Sequence, residues 1–235
     1  MRRAPIWAAA CLVGVAALLG RPASVDAQEM DNAIFHFSQL QIDATRVEEA
    51  GLGRWSGNGW IGTDFDRLWW STEGEASRDA LGSAEAMALY GHYFRRFWDV
   101  VVGYRQDFEP VQQGYLAFGV MGLAPYWFEV GAFGFVSHRG EPSFRFEAET
   151  DLFLTQRLVF SPGGEVDWLI TDDEQLGLDS GISDLEVGVR TRYEIRRKFA
   201  PYLDLLWVRE KEAIMGGTSF IESGFRLGVG LRLIY

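Results

Sequence analysis

The chain has 235 residues, of which 33 are acidic and 22 are basic, so its formal net charge is −11 at neutral pH. An acidic chain without a concentrated basic patch is a poor candidate for binding nucleic acid. Its single cysteine is Cys11, which excludes intrachain disulfides and thiolate metal clusters.

The first 27 residues predict a secretory signal peptide. Arg2 and Arg3 precede an apolar stretch over residues 6–19, and Val25-Asp26-Ala27 forms a small-residue cleavage site before Gln28. The apolar stretch is too short to span a membrane as a helix. We therefore expect residues 28–235 to form the mature protein, one exported domain that is still more acidic than the whole chain.

Beyond this leader, strand-length runs recur and no helical period is apparent. Within 183–195, for example, Leu185, Val187 and Val189 alternate with the charged side chains of Glu186 and Arg190. Such alternation is typical of a strand with one apolar and one polar face. Twelve runs are predicted, at roughly 33–47, 53–63, 66–76, 82–95, 97–107, 113–123, 125–138, 142–154, 157–171, 183–195, 200–210 and 220–235.

The connections favour a membrane barrel over a soluble β-sandwich or an eight-stranded lipocalin-like barrel. Tight turns follow the even-numbered runs, longer polar connections follow the odd-numbered ones, and the longest is 172–183. Aromatic residues gather near the tight turns, as in an interfacial girdle. They are Phe94, Phe97, Trp98, Tyr126, Trp127, Phe128, Tyr193, Phe199 and Tyr202. We predict an all-β fold, a transmembrane antiparallel up-and-down β-barrel of about twelve strands, monomeric and surrounded by outer-membrane lipids.

If the apolar faces meet lipid, the polar faces line a lumen. The acids predicted there are Glu73, Glu75, Glu85, Asp99, Glu129, Glu147, Glu149, Asp151, Glu165, Asp167, Glu186 and Glu194. The bases are Arg67, Arg105, Arg145, Arg190, Arg192, Arg226 and Arg232. One interpretation is a network of compensating ion pairs across a narrow interior. The other is an acidic path for cations, lined by Glu73, Glu75, Glu85, Glu147, Glu149 and Asp151, since surplus carboxylates lower the energy of a positive ion.

Soft metal ligands are few. Strand phase places Met87 and Met121 on the inner face and His92 on the outer face, whereas the direction of His36 is uncertain because the phase of its strand breaks. His138 lies at the outer end of the seventh run. No pair of histidines or cysteines has the spacing of a metal site.

Enzymatic function is not predicted. A lipase or deacylase of the outer membrane needs a nucleophilic serine or threonine with a histidine partner at the lipid boundary. Only His92 could lie there, and nothing in the pattern selects Ser71 or Ser83 as its partner.

Several stretches resemble the copper resistance protein B family. They are 59–75 (GWIGTDFDRLWWSTEGE), 83–90 (SAEAMALY), 118–133 (FGVMGLAPYWFEVGAF), 145–167 and 180–207. The motifs APYWFE and SDLEVGVR are the most specific of these. The resemblance covers nearly the whole mature chain and implies an outer-membrane β-barrel in periplasmic copper handling, working beside a multicopper oxidase.

The chain departs from that family in its N-terminal segment. Many members carry a Met- and His-rich segment ahead of the barrel, but residues 28–37 here contain only Met30 and His36 as such residues. The candidate copper contacts are therefore Met30, His36, Met87, Met121 and Glu85. Two alternatives to copper passage stay open: an adaptor barrel that docks a periplasmic multicopper oxidase while ion pairs plug its lumen, and a small nonspecific pore.

Overall fold

The computed structural model describes residues 33–47, 50–77, 80–173, 175–214 and 218–235. The predicted leader over 1–27 and Met30 lie outside the described residues. The strands are β1 (Phe35–Val47), β2 (Ala50–Gly62), β3 (Asp66–Ala76), β4 (Leu81–Arg95), β5 (Trp98–Glu109), β6 (Gln113–Ala124), β7 (Phe128–Ser137), β8 (Pro142–Thr150), β9 (Leu152–Phe153), β10 (Leu158–Leu169), β11 (Gly181–Tyr193), β12 (Phe199–Ile214) and β13 (Thr218–Ile234). The described part of the chain contains no helix of the length and hydropathy needed to cross a membrane.

The strands form one closed antiparallel sheet. Successive strands pair with each other, and β1 pairs with β13 from Gln39–Ile234 to Arg46–Leu227, which closes the barrel. Both β8 and β9 pair with β10 in a continuous register, and only Asp151 separates them. They are therefore two parts of one barrel strand, and the predicted twelve-stranded barrel is confirmed.

The connections differ in part from the expectation. The segment between β10 and β11 is the longest, as predicted, but those at 110–112 and 138–141 are as short as the turns at the opposite end of the barrel. The strands β2, β5 and β12 continue past their predicted limits, whereas β7 and β10 are shorter than predicted. Below, the end that carries the turns after β2, β4, β6, β9 and β11 is called the short-turn end.

The outer wall is apolar, as a lipid-facing surface requires. On β13, Phe225, Leu227 and Val229 are all more than half exposed. Two glycines let tryptophans lie flat on this wall: a Cβ at Gly59 would lie 2.7 Å from the indole nitrogen of Trp70, and one at Gly74 would clash with the ring of Trp55. The wall is therefore smooth where β2 and β3 meet.

The inner wall holds an apolar cluster that the alternation pattern did not predict. Its buried members come from β4 to β7 and are Leu89, Val101, Tyr115, Ala117, Phe133 and Phe135.

The position of Tyr202 differs from the expectation that it belongs to the aromatic girdle. It does not belong to the girdle near the turns but faces the interior, where it is 2% exposed and its hydroxyl donates a 3.0 Å hydrogen bond to Asp43.

Candidate functional site

Arg145 on β8 is the centre of the charged interior. Its guanidinium contacts Glu85 on β4 and both Glu165 and Asp167 on β10, each at 2.9 Å. Arg105 on β5 approaches the same Glu85 at 2.9 Å. Glu85, which the sequence analysis named as a copper contact, is therefore shared between two arginines and is not a free ligand.

The apolar cluster supports this network. The guanidinium carbons of Arg105 and Arg145 lie 5.0 and 6.0 Å from the ring centre of Phe135, within the range of cation–π attraction. Arg105 also lies 5.2 Å from the ring centre of Tyr115. The aromatic side chains therefore hold the two guanidinium groups in place beside their carboxylates.

Two further arginines cross the lumen. Arg54 on β2 contacts Glu186 on β11 at 3.5 Å, and Arg226 on β13 contacts Glu75 on β3 at 3.2 Å. Arg226 also contacts Glu210 on β12 at 2.9 Å. Because β2 and β11, like β13 and β3, are not neighbours in the sheet, these pairs bridge the interior and narrow it.

A second group of ion pairs lies toward the short-turn end. Arg192 binds Asp151, and Arg190 contacts Asp204 on the neighbouring strand at 3.0 Å. The other inward pairs there are Arg67–Asp99 at 3.1 Å, Arg192–Glu194 at 3.6 Å and Arg232–Glu194 at 3.6 Å. The predicted structural network is thus present in both halves of the lumen.

The predicted acidic path separates into two groups of carboxylates. Glu75, Glu85 and Asp151 are bound by arginines. Glu73, Glu147 and Glu149 also line the interior, but in the described part of the chain none of them has an arginine within 4.0 Å. Glu73 accepts a 3.3 Å hydrogen bond from Ser56 and lies close enough to Glu147 for the two carboxylates to interact electrostatically. These three carboxylates are therefore the members of the predicted path that no arginine ion pair of the described residues compensates.

Asp184, Glu186 and Glu210 form a carboxylate cluster at the other end of the lumen. One oxygen from each lies within 4.8 Å of the others. Carboxylate oxygens of this kind suit hard cations. Only Glu186 was predicted to line the lumen, because Asp184 and Glu210 lie at the edges of the predicted strands, where the phase is hardest to assign.

The two methionines face the interior as predicted, yet they lie in apolar surroundings. Met87 and Met121 pack against the apolar cluster together with Trp69. Met121 also lines a cavity of about 290 Å³ at the short-turn end, beside Arg67 and Asp99. One thioether is therefore open to that end of the barrel, and the structure does not bring His36 near either methionine.

No histidine of the described residues faces the lumen. Strand alternation places His36 on the outer wall, where it is exposed, and His138 lies in the connection after β7. His92 also faces outward, 2.8 Å from Asp66. Ser71 faces the interior and Ser83 lies at the far end of β4, so neither is a partner for His92. The inward donor set consists of carboxylates with two thioethers, which fits transient contact with a cation better than a closed copper chelate.

The long connection between β10 and β11 is held by its own aspartates. The backbone N–H of Ser180 donates a 2.7 Å hydrogen bond to Asp172, and this bond lowers the pKa of the Asp172 carboxyl. Because the pKa is lowered in the folded state, the bond stabilises the connection at neutral pH and is lost as the pH falls through that pKa.

Residues 33–235 match the model of a family described as copper resistance protein B precursor. Copper resistance protein B of Escherichia coli is 44% identical over 179 residues, and the copper resistance protein B homolog of Pseudomonas syringae pv. tomato (strain ATCC BAA-871 / DC3000) is 44% identical over 184 residues. These matches cover 75% and 77% of this chain but 60% and 63% of the relatives. The chain therefore spans about three fifths of the length of the relatives it matches.

Among solved structures, the barrel is similar to two porins. A structure of the NanC porin gives a TM-score of 0.57 and one of the KdgM porin gives 0.53. Each is 11% identical, covers 83% of this chain and is itself covered over 98% of its length. At this identity the likeness shows the fold alone, a closed barrel of the porin type.

Proposed function

Because the chain belongs to the copper resistance protein B family and is an outer-membrane β-barrel, we propose that its acidic lumen binds copper ions weakly and lets them cross the outer membrane without catalysis. The observation that carries this proposal is the composition of the inner wall, where carboxylates outnumber arginines. The inward carboxylates are Asp43, Glu73, Glu75, Glu85, Asp99, Asp107, Glu129, Glu147, Glu149, Asp151, Glu165, Asp167, Asp184, Glu186, Glu194, Asp204 and Glu210, and the inward arginines are Arg54, Arg67, Arg105, Arg145, Arg190, Arg192, Arg226 and Arg232.

The excess negative charge acts inside a low-dielectric wall. A cleft with such walls focuses the field of its charges and raises the local concentration of ions of opposite sign. Glu73, Glu147 and Glu149 contribute most directly when ionised, because none of them forms an ion pair with an arginine of the described residues. A cation would pass from one carboxylate to the next, and an anion would be repelled.

We expect the triple variant Glu73→Gln/Glu147→Gln/Glu149→Gln to lose several-fold in cation-over-anion permeability, because it removes charge without changing side-chain shape. The measurements are reversal potentials in planar bilayers and Cu(II) entry into liposomes that contain the barrel. The matched control, Asp64→Asn/Asp66→Asn/Asp179→Asn, removes three exposed carboxylates that do not face the lumen and should keep the wild-type preference. An unchanged ratio in the first variant would contradict the cation path.

The thioethers are tested separately. We expect Met87→Leu/Met121→Leu to lose Cu(I) binding while Zn(II) binding is unchanged, because leucine keeps the packing volume but has no sulfur ligand. The measurement is metal titration of the purified barrel in detergent, under reducing conditions for Cu(I). His36→Ala, on the outer wall, is the control and should bind as the wild type does. If the double variant binds Cu(I) normally, the methionines serve packing alone.

A second candidate function is favoured by the pairs that cross the lumen. Arg54–Glu186 and Arg226–Glu75, together with the apolar cluster, occupy much of the interior. A closed barrel of this kind would act as an adaptor that docks a periplasmic multicopper oxidase. It predicts no measurable conductance for the wild type, whereas a nonspecific pore predicts conductance without preference for cations.

A further inference from the structure

The short-turn end carries charge of the opposite sign to the protein as a whole. The basic side chains of its turns are Arg95, Arg96, Arg157, Arg196, Arg197 and Lys198, and we call them the basic rim. All six are exposed, although the chain has a net charge of −11. They belong to three different turns, after β4, β9 and β11, so they are distributed around the barrel and do not form one patch.

The opposite end is acidic. Its described connections and strand ends carry Glu109, Glu141, Asp172, Asp173 and Asp179 against Arg139, Arg209 and Lys211, whereas the six basic residues of the rim are opposed by Asp64 and Asp66 at the turn after β2. The charge is therefore separated along the barrel axis. Overall composition does not explain this separation, because a random placement of the acidic excess would make both ends negative.

Exposed aromatic side chains flank the two arginines of the turn after β4. Phe94 precedes Arg95 in the chain, and the guanidinium carbon of Arg96 lies 4.9 Å from the ring centre of Phe97. Phe94 and Phe97 are 54% and 55% exposed. Aromatic rings beside basic groups at one level of a barrel are typical of the boundary between lipid and water.

The turn after β6 adds two more aromatic residues in an unusual conformation. Tyr126 and Trp127 have φ angles of 67° and 64°, which bulky side chains rarely adopt, and they are 86% and 74% exposed. A soluble surface would gain nothing from this arrangement. At the depth of the lipid headgroups, however, both rings find the environment that they prefer.

We propose that the basic rim binds the phosphate groups of anionic phospholipids in the periplasmic leaflet of the outer membrane. The longest connection, between β10 and β11, lies at the opposite end, and the longer loops of such barrels are extracellular, so the basic rim faces the periplasm. Arginine pairs with phosphate through two parallel hydrogen bonds, and the neighbouring rings hold the rim at headgroup depth. Lipid fits this surface better than an acidic protein does, because the charges surround the barrel and each lies among apolar side chains that lipid covers.

The test uses the full barrel in neutral detergent, with fluorescent phosphatidylglycerol and phosphatidylcholine as probes and energy transfer from tryptophan as the signal. We expect the wild type to prefer phosphatidylglycerol. The variant Arg96→Gln/Arg197→Gln should bind that lipid on the order of tenfold more weakly at low salt, and Arg96→Lys/Arg197→Lys should have an intermediate affinity, because lysine keeps the charge but not the paired hydrogen bonds. The matched control Arg139→Gln/Arg209→Gln, toward the opposite end, should bind as the wild type does, and high salt should weaken wild-type binding.

Three outcomes would overturn the proposal. The two lipids could bind equally to the wild type, the glutamine variant could bind phosphatidylglycerol like the wild type, or the opposite-end control could lose as much affinity. Poly-glutamate serves as a soluble probe: if it requires the same arginines while phosphatidylglycerol does not, the rim recognises a protein and not a lipid. No readout involves copper, so the result is independent of the function proposed for the lumen.

Discussion

Replacing Arg145 with methionine is expected to lower the free energy of unfolding by about 3–5 kcal/mol, because it leaves carboxylates in the interior without their partner. The Arg145 side chain is only 9% exposed and contacts Glu85, Glu165 and Asp167. Arg105 still neutralises Glu85 in the variant, but Glu165 and Asp167 lose their ion pair. The measurement is urea unfolding of the refolded barrel, followed by tryptophan fluorescence.

The control for this prediction is Arg139→Met, an exposed arginine in the connection after β7, which should change stability by about 0.5 kcal/mol or less. Adding Glu165→Gln and Asp167→Asn to the Arg145→Met variant should recover part of the loss, because the buried charges are then gone as well. A loss below about 1 kcal/mol for Arg145→Met would mean that water in the lumen solvates these carboxylates.

The double variant Arg54→Ser/Arg226→Ser is expected to raise single-channel conductance several-fold and to strengthen the preference for cations. It removes two of the guanidinium groups that cross the lumen and frees the carboxylates of Glu186, Glu75 and Glu210. The measurement is the conductance of single barrels in planar bilayers, with reversal potentials in a salt gradient.

Arg190→Ser is the matched control, because Arg190 pairs with Asp204 on the adjacent strand and does not bridge the interior. Its conductance should equal that of the wild type. If the double variant also conducts like the wild type, the constriction lies elsewhere, and the apolar cluster is the next element to test.

Strand number and strand phase could be predicted from the sequence because one physical rule governs them. Where one face meets lipid and the other meets charge, side chains must alternate, as in β8, β11 and β13. The rule does not reveal the apolar cluster on β4 to β7. Phe133 and Phe135 face the interior of β7 while Val130 and Val136 face outward, so both faces are apolar and alternation carries no signal.

The partners of the charged residues could not be predicted, although most of the residues could. Arg226 meets Glu75 and Arg54 meets Glu186 only because the barrel closes in one particular stagger, and that stagger depends on the register of every strand pair. Arg54 itself lies in a glycine-rich strand without alternation. The basic rim was also missed, since basic residues in three separate turns come to lie at one end only when the barrel is closed.

Because of the apolar cluster on β4 to β7, the outer circumference of the barrel and the width of its bore are set independently. Strand number and tilt set the circumference that lipid surrounds, whereas the size of the inward side chains sets the bore. Because Leu89, Phe133 and Phe135 occupy one side of the interior, the open part of the bore is displaced toward the opposite side. Substitutions at these few positions can widen or narrow the bore without altering a strand register or the lipid-facing wall. Size selectivity and fit to the membrane are therefore free to evolve separately.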